Sequence, residues 1–151
     1  MKKILFYIFF LASIAAFVCI SVSAHALDRD EITLFDVDGN PVAYIDTADR
    51  DLTIYLWNGT PAAYIAGKDI YGFNGEHLGW HQNGIIMDHD GYAIGMTKNA
   101  FAGFKKFEPL KALKKIKPYQ TLRKLAPLMP IYRMLWSKND LRLFLISGAK
   151  N

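Results

Sequence analysis

Residues 33–45 read TLFDVDGNPVAYI, and the same pattern returns as TIYLWNGTPAAYI at 53–65, DIYGFNGEHLGWH at 69–81 and IIMDHDGYAIGMT at 85–97. The four segments align without gaps, and each is centred on Asp-Gly or Asn-Gly. These turn residues are Asp38, Gly39, Asn58, Gly59, Asn74, Gly75, Asp90 and Gly91. Such a dipeptide between strand-like runs is the strongest short-range signal for a β-hairpin. The sequence therefore predicts four tandem hairpins, each with a two-residue type I′ turn.

A two-residue turn would also fix the pairing of the strands in each hairpin. The residue five positions before each glycine would face the residue four positions after it, so that a large aliphatic side chain meets a very small residue. The predicted pairs are Leu34 with Ala43, Ile54 with Ala63, Ile70 with Gly79, and Ile86 with Gly95. This alternation suits the tapered interior of a small barrel. We predict an all-β fold, a small closed barrel, with these eight residues lining an apolar interior as the candidate ligand-binding site.

The other face of the predicted hairpins is aromatic rather than polar. The same register pairs Phe35 with Val42, Tyr55 with Ala62, Tyr71 with Leu78, and Met87 with Ile94 across this face. A folded protein rarely leaves so much apolar surface uncovered. We therefore expect this face to be covered, and the remainder of the chain is the first candidate for the cover.

The chain that follows the fourth hairpin is basic and punctuated by proline. Pro109, Pro118 and Pro127 lie nine residues apart, and each precedes an apolar residue. Three near-copies of one unit beside four hairpins predict a wrap over residues 98–147 that meets successive hairpins in turn. Its apolar side chains are expected to cover the aromatic face, and its lysines to face acidic residues or solvent. A basic amphipathic segment on a membrane surface is an alternative compatible with the wrap.

Charge is divided between the two halves of the chain. Residues 27–97 contain twelve acidic and three basic residues, whereas residues 98–151 contain two acidic and thirteen basic ones. A basic tail can bind nucleic acid, but this one is also rich in large apolar residues, which favours contact with the acidic half of the same molecule. We expect no nucleic-acid partner. Residues 141–146 (LRLFLI) are predicted to form a strand or a packed terminal segment, and residues 148–151 a disordered end.

The N-terminus has the pattern of a secretory signal peptide. Two lysines precede the uncharged, mostly apolar residues 4–22, and the triplet Ala-His-Ala ends at Ala26. We predict a signal peptide over residues 1–26, cleavage after Ala26 and a barrel over residues 27–97. An uncleaved membrane anchor is the alternative, because the apolar run is long enough to span a bilayer at about 20 residues. The single cysteine, Cys19, would leave with the signal peptide.

Several local elements resemble a known family. These are GFNG at 72–75, LGW at 78–80 and DHDGY at 88–92, followed by EPLKALKKIKPYQTLRKLAPL at 108–128. Together they resemble the four-fold β-flower proteins over residues 31–130. The resemblance implies a shallow, nearly four-fold symmetric β-barrel with an apolar channel, similar in outline to Tubby C-terminal-like barrels. It implies no catalytic residues, and it raises lipid or membrane association only by analogy of fold.

One group of polar residues is a candidate for metal chemistry. Asp36, His77 and Asp88 fall near the turns on the interior face in the predicted register, and ring closure would bring the first and fourth hairpins together. Carboxylates and imidazole are competent ligands for a divalent ion. The simpler interpretation is that these side chains bond nearby backbone amides. We predict no cofactor and no catalytic residues, and a metal-dependent hydrolase is the least favoured function.

These observations favour an exported protein, periplasmic, secreted or associated with the envelope, that is not an enzyme. Its apolar interior, aromatic face and basic tail suggest an apolar or lipid ligand, or attachment to a membrane surface. The alternative is a structural or protein-interaction domain.

Overall fold

A computed structural model describes residues 31–149 of the protein. Eight strands follow one another along the chain and close into an antiparallel barrel. The strands are β1 (Glu31–Phe35), β2 (Pro41–Asp46), β3 (Thr53–Leu56), β4 (Pro61–Ala66), β5 (Asp69–Gly72), β6 (His77–Gln82), β7 (Ile85–Met87) and β8 (Ala93–Thr97), and the helix α1 (Leu141–Ile146) follows near the C-terminus. The predicted closed barrel of four hairpins is confirmed, whereas the predicted signal peptide lies outside the described residues.

The barrel has two different ends. The four hairpin turns lie at one of them, which we call the turn end. The junctions between successive hairpins, residues 47–52, 67–68 and 83–84, lie at the other, which we call the far end. The four extra residues between the first two hairpins are accommodated in the far-end junction 47–52, so the turn end keeps its four-fold regularity.

Each hairpin turn contains three residues rather than the two predicted. In the first hairpin the N–H of Gly39 donates to the carbonyl of Asp36 (3.1 Å), and the N–H of Asp36 donates to the carbonyl of Asn40 (3.0 Å). Gly39 has a φ of +70°, whereas Asp38 has no positive φ. This is the pattern of a type I turn followed by a left-handed glycine, and the prediction of a type I′ turn is wrong. The Asp36 carboxylate favours the longer turn because it accepts the N–H groups of Asp38 (3.0 Å) and Asn40 (2.8 Å).

A β-bulge in each hairpin restores the predicted register away from the turn. The four large–small pairs are confirmed, with Leu34 opposite Ala43 in the first hairpin and the equivalent pairs in the other three. Closer to the turn, Phe35 pairs with Pro41 and not with Val42. The predicted partners of the aromatic face are therefore wrong. The longer turn shifts the pairing by one residue and the bulge shifts it back. The extra residues are Val42, Ala62, Leu78 and Ile94, and they pack with the interior.

The barrel interior is a filled hydrophobic core. The four large aliphatic residues predicted for it, Leu34, Ile54, Ile70 and Ile86, are each 0 % exposed. Leu141 and Leu145 of α1 belong to the same cluster. A Cβ atom on Gly95 would lie only 2.9 Å from a methyl group of Leu141, so the small residues leave room for the helix. The helix therefore closes the interior by packing onto its layer of small residues.

Of the two alternatives predicted for LRLFLI, the packed terminal segment is confirmed, whereas the predicted disorder is wrong at Gly148. LRLFLI is a packed helix and not a strand: Asp140 caps the helix by accepting the N–H of Leu143 (2.8 Å), and Leu141 and Leu145 are buried. Gly148 was predicted to be disordered, but it is buried against Gly72, and its carbonyl accepts the N–H of Asn74 (3.2 Å). The absence of a side chain at both glycines permits this backbone contact.

The wrap meets the four hairpins in turn, as predicted. The N–H groups of four residues nine positions apart donate to the carbonyls of the four turn glycines, each at 2.9 Å. These bonds join Lys106 to Gly39, Lys115 to Gly59, Lys124 to Gly75, and Arg133 to Gly91. The wrap thus follows the turn end at one level, and its nine-residue period matches one hairpin per unit.

Candidate functional site

Basic side chains of the wrap cover the aromatic face of the barrel. The Nζ atom of Lys111 lies 4.8 Å from the ring centroid of Tyr44, and the guanidinium of Arg123 lies 5.2 Å from that of Tyr64. Both tyrosines are buried, at 1 % and 0 % exposure. A cation over an aromatic face is attracted by the negative charge density of the ring. Phe101 of the same C-terminal segment stacks on Phe35 (6.2 Å between ring centroids). The aromatic face is therefore covered by cations over Tyr44 and Tyr64 and by an apolar side chain over Phe35, so the predicted apolar cover is correct only for the first hairpin.

The same row of lysines also pairs with acidic residues, as predicted. Lys114 contacts both Glu31 and Asp46 at 2.6 Å, and Lys117 contacts Asp49 at 2.6 Å. Burial alone would raise the pKa of Glu31, but the hydrogen bonds and charges of its lysine partners hold that pKa below its ordinary value. The pKa of Lys114 is raised by its two carboxylate partners, against the opposing effect of burial. These pairs bind the basic half of the chain to the acidic half.

The large apolar residues of the wrap point into the solvent. They recur at every third position from residue 104 to residue 134, and their exposure lies between 82 and 99 %. We call this row the belt; it consists of Phe104, Phe107, Leu110, Leu113, Ile116, Tyr119, Leu122, Leu125, Leu128, Ile131 and Met134. A period of three residues is that of an extended, polyproline-like chain. The prediction that these side chains cover the aromatic face is wrong, because the other two rows of the wrap face the barrel.

Further exposed apolar residues lie at the turn end. Val37 in the first turn is 50 % exposed, Leu143 on the outer side of α1 is 63 % exposed, and Leu135 after the belt is 61 % exposed. Among the large apolar residues exposed within residues 31–149, only Ile32, at 38 %, lies in the half of the barrel nearer the far end. The exposed apolar surface is therefore concentrated at the turn end and on the belt.

Comparison with known families agrees with this architecture. Residues 32–145 match the family described as 4-fold beta flower protein, which covers the barrel, the wrap and most of α1. The chain belongs to this family. No curated protein and no solved structure matches the chain. The belt thus lies within the part of this β-flower protein that the family shares.

The eight interior residues of the β-flower barrel are placed together, as predicted, but they are inaccessible. Ala43 and Ala63 are 0 % exposed, and Gly79 would clash with the ring of Phe144 if it carried a Cβ atom, at 3.0 Å. A ligand could reach this interior from the turn end only if α1 moved away. Ligand binding by the interior remains a prediction, and the accessible candidate site of this β-flower protein is the belt.

The three residues considered for metal binding do not form one group. The Asp36 and Asp88 carboxylates each accept two backbone N–H groups of their own turns. His77 lies on the aromatic face beside Trp80, because the bulge turns Leu78 inward in its place. Within the described residues, no three His, Cys, Asp or Glu side chains are grouped closely enough to hold a metal ion. The prediction of a cluster at the turn end is therefore wrong.

His77 instead takes part in a short hydrogen-bonded chain between hairpins. Its Nδ1 atom lies 2.9 Å from Nε2 of His89, and its Nε2 atom lies 3.3 Å from the carboxylate of Asp69. Burial lowers the pKa of His77, the hydrogen bond with Asp69 opposes this shift, and the charge of His89 adds to it. The net result is a pKa of His77 below its ordinary value, which favours the neutral ring. In the contact with His89, one of the two ring nitrogens must be unprotonated so that it can accept the hydrogen bond.

We expect stability to fall on mild acidification. The pKa of His77 is lowered in the folded state, so between that value and the unfolded value of about 6.5 the unfolded chain binds more protons. The stabilising contribution is complete above about pH 6.5 and is lost as the pH falls below it. Urea midpoints at pH 7.5 and 5.5 measure this loss. His77→Gln should reduce the difference between the two midpoints, and an unchanged difference would contradict the assignment.

The sequence itself contains a signal for the belt. Eleven large apolar residues at strict intervals of three fit neither the helical period of 3.6 nor the strand period of 2. The prolines nine residues apart coincide with the same period and exclude a continuous helix. Recognition of this period would have predicted an extended chain with all its large apolar side chains on one side.

Proposed function

We propose that the protein is an exported, non-enzymatic structural module that attaches to a lipid membrane through the belt. The observation that carries the proposal is the exposure of eleven large apolar side chains, at 82 to 99 %, in one continuous row. Membership of the β-flower family and the closed barrel fit a structural module. Export is supported by the signal-peptide pattern of residues 1–26. No helix within residues 31–149 is long and apolar enough to cross a bilayer.

The amount of exposed apolar surface supports an attachment role. Transfer of one large apolar side chain out of water is favourable by about 1.5–3 kcal/mol. A monomeric protein rarely keeps a large continuous apolar surface in water unless that surface binds something. The belt side chains do not pack against the barrel, so they add nothing to the core. Their burial in an external apolar phase would therefore be a net gain.

The neighbours of the belt favour a lipid over a shaped protein pocket. Lys106, Lys115 and Lys124 immediately precede the belt residues Phe107, Ile116 and Leu125. Basic residues beside large apolar ones are typical of segments that lie in the membrane interface, where the charge stays among the headgroups. A bilayer also accepts separate protruding side chains without requiring a complementary shape. The repeated pairing of a cation with an apolar residue therefore suits a membrane surface.

Vesicle co-sedimentation tests the proposal. The test protein begins at Leu27, because every strand, the wrap and α1 lie within residues 31–149 and the apolar residues 4–22 would themselves bind lipid. We expect the protein to sediment with phosphatidylcholine vesicles, and more strongly when phosphatidylglycerol is added, since the wrap is basic. Protein that stays in the supernatant with both kinds of vesicle would refute membrane attachment.

A second candidate function uses the same surface. A belt that runs round the molecule could also pack against the belts of other copies, which would make the protein a self-assembling structural element. Light scattering without vesicles separates the two functions. A monomer that binds vesicles supports membrane attachment, whereas large assemblies that do not bind vesicles support self-assembly.

A further inference from the structure

The belt lies at one level around the barrel. The wrap donates equivalent 2.9 Å hydrogen bonds to the four turn glycines, and these glycines occupy the same position in four repeats of one closed ring. An extended chain advances about 3.1 Å per residue, so each nine-residue unit covers about 28 Å, and the complete ring would be about 35 Å across. The wrap therefore meets the turn end at the same level in all four quarters, and the belt borders the turn end instead of forming a patch on one side.

The two ends of the molecule differ in chemistry. The turn end is bordered by the belt and carries Val37 and Leu143, which are 50 % and 63 % exposed. Apart from Ile32 (38 %), the exposed residues of the far end within residues 31–149 are small or polar and include Ala48, Lys68 and Asn99. A flat apolar partner that met the far end would bury polar groups, whereas at the turn end it would bury the belt and the outer side of α1.

One cation in each quarter of the ring lies beside the turns. Lys106 donates to the side chain of Asn40 (2.7 Å) and Lys115 to the hydroxyl of Thr60 (3.1 Å). Arg133 donates to the carbonyl of Asp90 (2.8 Å). These three partners are uncharged groups, so the cations keep their charge available for a phosphate. Lys124, in the remaining quarter, pairs with Glu76.

We propose that the partner is a flat phospholipid bilayer, met by the turn end, so that all four quarters of the belt enter the interface together. The proposal rests on membrane attachment by the belt and adds the orientation of the molecule. The barrel axis stands along the membrane normal, the ring cations contact the lipid phosphates, and the far end faces the water. The acidic residues of the far-end junction, Asp49 and Asp51, pair with Lys117 (2.6 and 3.0 Å), which offsets their charge near the anionic headgroups.

Single-cysteine labelling tests this orientation. The chain that begins at Leu27 contains no cysteine, so an environment-sensitive dye reports one position at a time. Four equivalent belt positions are changed to cysteine, one per quarter: Phe107→Cys, Ile116→Cys, Leu125→Cys and Met134→Cys. Three exposed far-end positions serve as controls: Ala48→Cys, Lys68→Cys and Asn99→Cys. Each labelled protein is mixed with phosphatidylcholine vesicles containing phosphatidylglycerol, and its co-sedimentation is measured in parallel.

The outcomes separate the orientation from the attachment itself. A blue shift of the dye at all four belt positions, with none at the three far-end positions, supports binding by the turn end. A blue shift in only one or two adjacent quarters, together with the far-end position nearest to them, would mean that the molecule lies on its side. That result overturns the orientation but retains membrane attachment. Absence of both co-sedimentation and blue shift refutes the attachment as well.

Discussion

Replacement of Gly59 by alanine is expected to destabilise the protein by about 4 kcal/mol. Gly59 has a φ of +78°, a conformation that costs an L-residue about 1–2 kcal/mol. The added Cβ atom would also lie 1.9 Å from the carbonyl oxygen of Leu113 in the wrap. The wrap would have to move away, which would break the hydrogen bond from Lys115 to the carbonyl of Gly59. Urea unfolding followed by tryptophan fluorescence measures the loss.

Gly67 provides a matched control for this prediction. Its φ of +68° is nearly the same, but a Cβ atom there would have no neighbour within 4 Å. Gly67→Ala should therefore lower the free energy of unfolding by only about 1–2 kcal/mol, which is the cost of a positive φ for an L-residue. The difference in the free energy of unfolding between the two variants measures the part of the loss that comes from the contact of the wrap with the turn. Equal losses in the two variants would mean that the wrap does not lie against Gly59 in solution.

Substitution of four belt residues by serine is expected to weaken vesicle binding by several orders of magnitude. The variant combines Leu110→Ser, Leu113→Ser, Leu122→Ser and Leu125→Ser, at positions that are 92 to 97 % exposed. At about 1.5 kcal/mol for each side chain, the four changes remove about 6 kcal/mol, or about four orders of magnitude in partition. The urea midpoint should not change, because these side chains contribute little to the core. Vesicle titration with co-sedimentation measures the partition.

The control for the belt variant changes four exposed residues of the far end. Arg50→Ser, Lys68→Ser, Gln82→Ser and Lys98→Ser alter as many positions without touching the belt. With uncharged phosphatidylcholine vesicles the control should bind like the unchanged protein, because no apolar contact is lost. If the belt variant bound as strongly as the control, the belt would not be the attachment surface, and membrane attachment through it would be refuted.

The order in which the wrap meets the hairpins could be predicted from the sequence, but the hydrogen bonds that hold it there could not. Its nine-residue period, read from three prolines, gave the correct succession of hairpins. The contacts depend on which N–H groups are available: Ala112 and Thr121 donate to the carbonyls of Trp57 and Phe73, at 2.9 and 3.0 Å. The next equivalent position is Pro130, which has no N–H group to donate. The wrap nevertheless stays against the fourth hairpin, where the N–H of Arg133, three residues later, donates to the carbonyl of Gly91.

The predicted strand register is correct away from the turns, although the predicted turn type is wrong. The large–small pairs such as Ile70 with Gly79 are confirmed because a one-residue longer turn and a one-residue bulge compensate each other. For residues between the turn and the bulge, the side of the sheet on which each side chain lies could not be predicted in this way. His77 was assigned to the interior and lies on the aromatic face, while Leu78 takes the interior position. A shift of one residue reverses the face in a strand.

The amino-acid sequence by itself determined the four hairpins, their closure into a ring and the nine-residue match between wrap and barrel. The hairpins follow from turn chemistry, which acts between residues close together in the chain. The closure and the match to the wrap join distant residues, and they follow from the repetition of equal units in the barrel and in the wrap. Only the tertiary structure decided which side of the wrap faces the barrel. An extended chain has no internal hydrogen bonds to fix its rotation, so the turn glycines and the buried tyrosines select the basic side. The belt is left in the solvent for that reason.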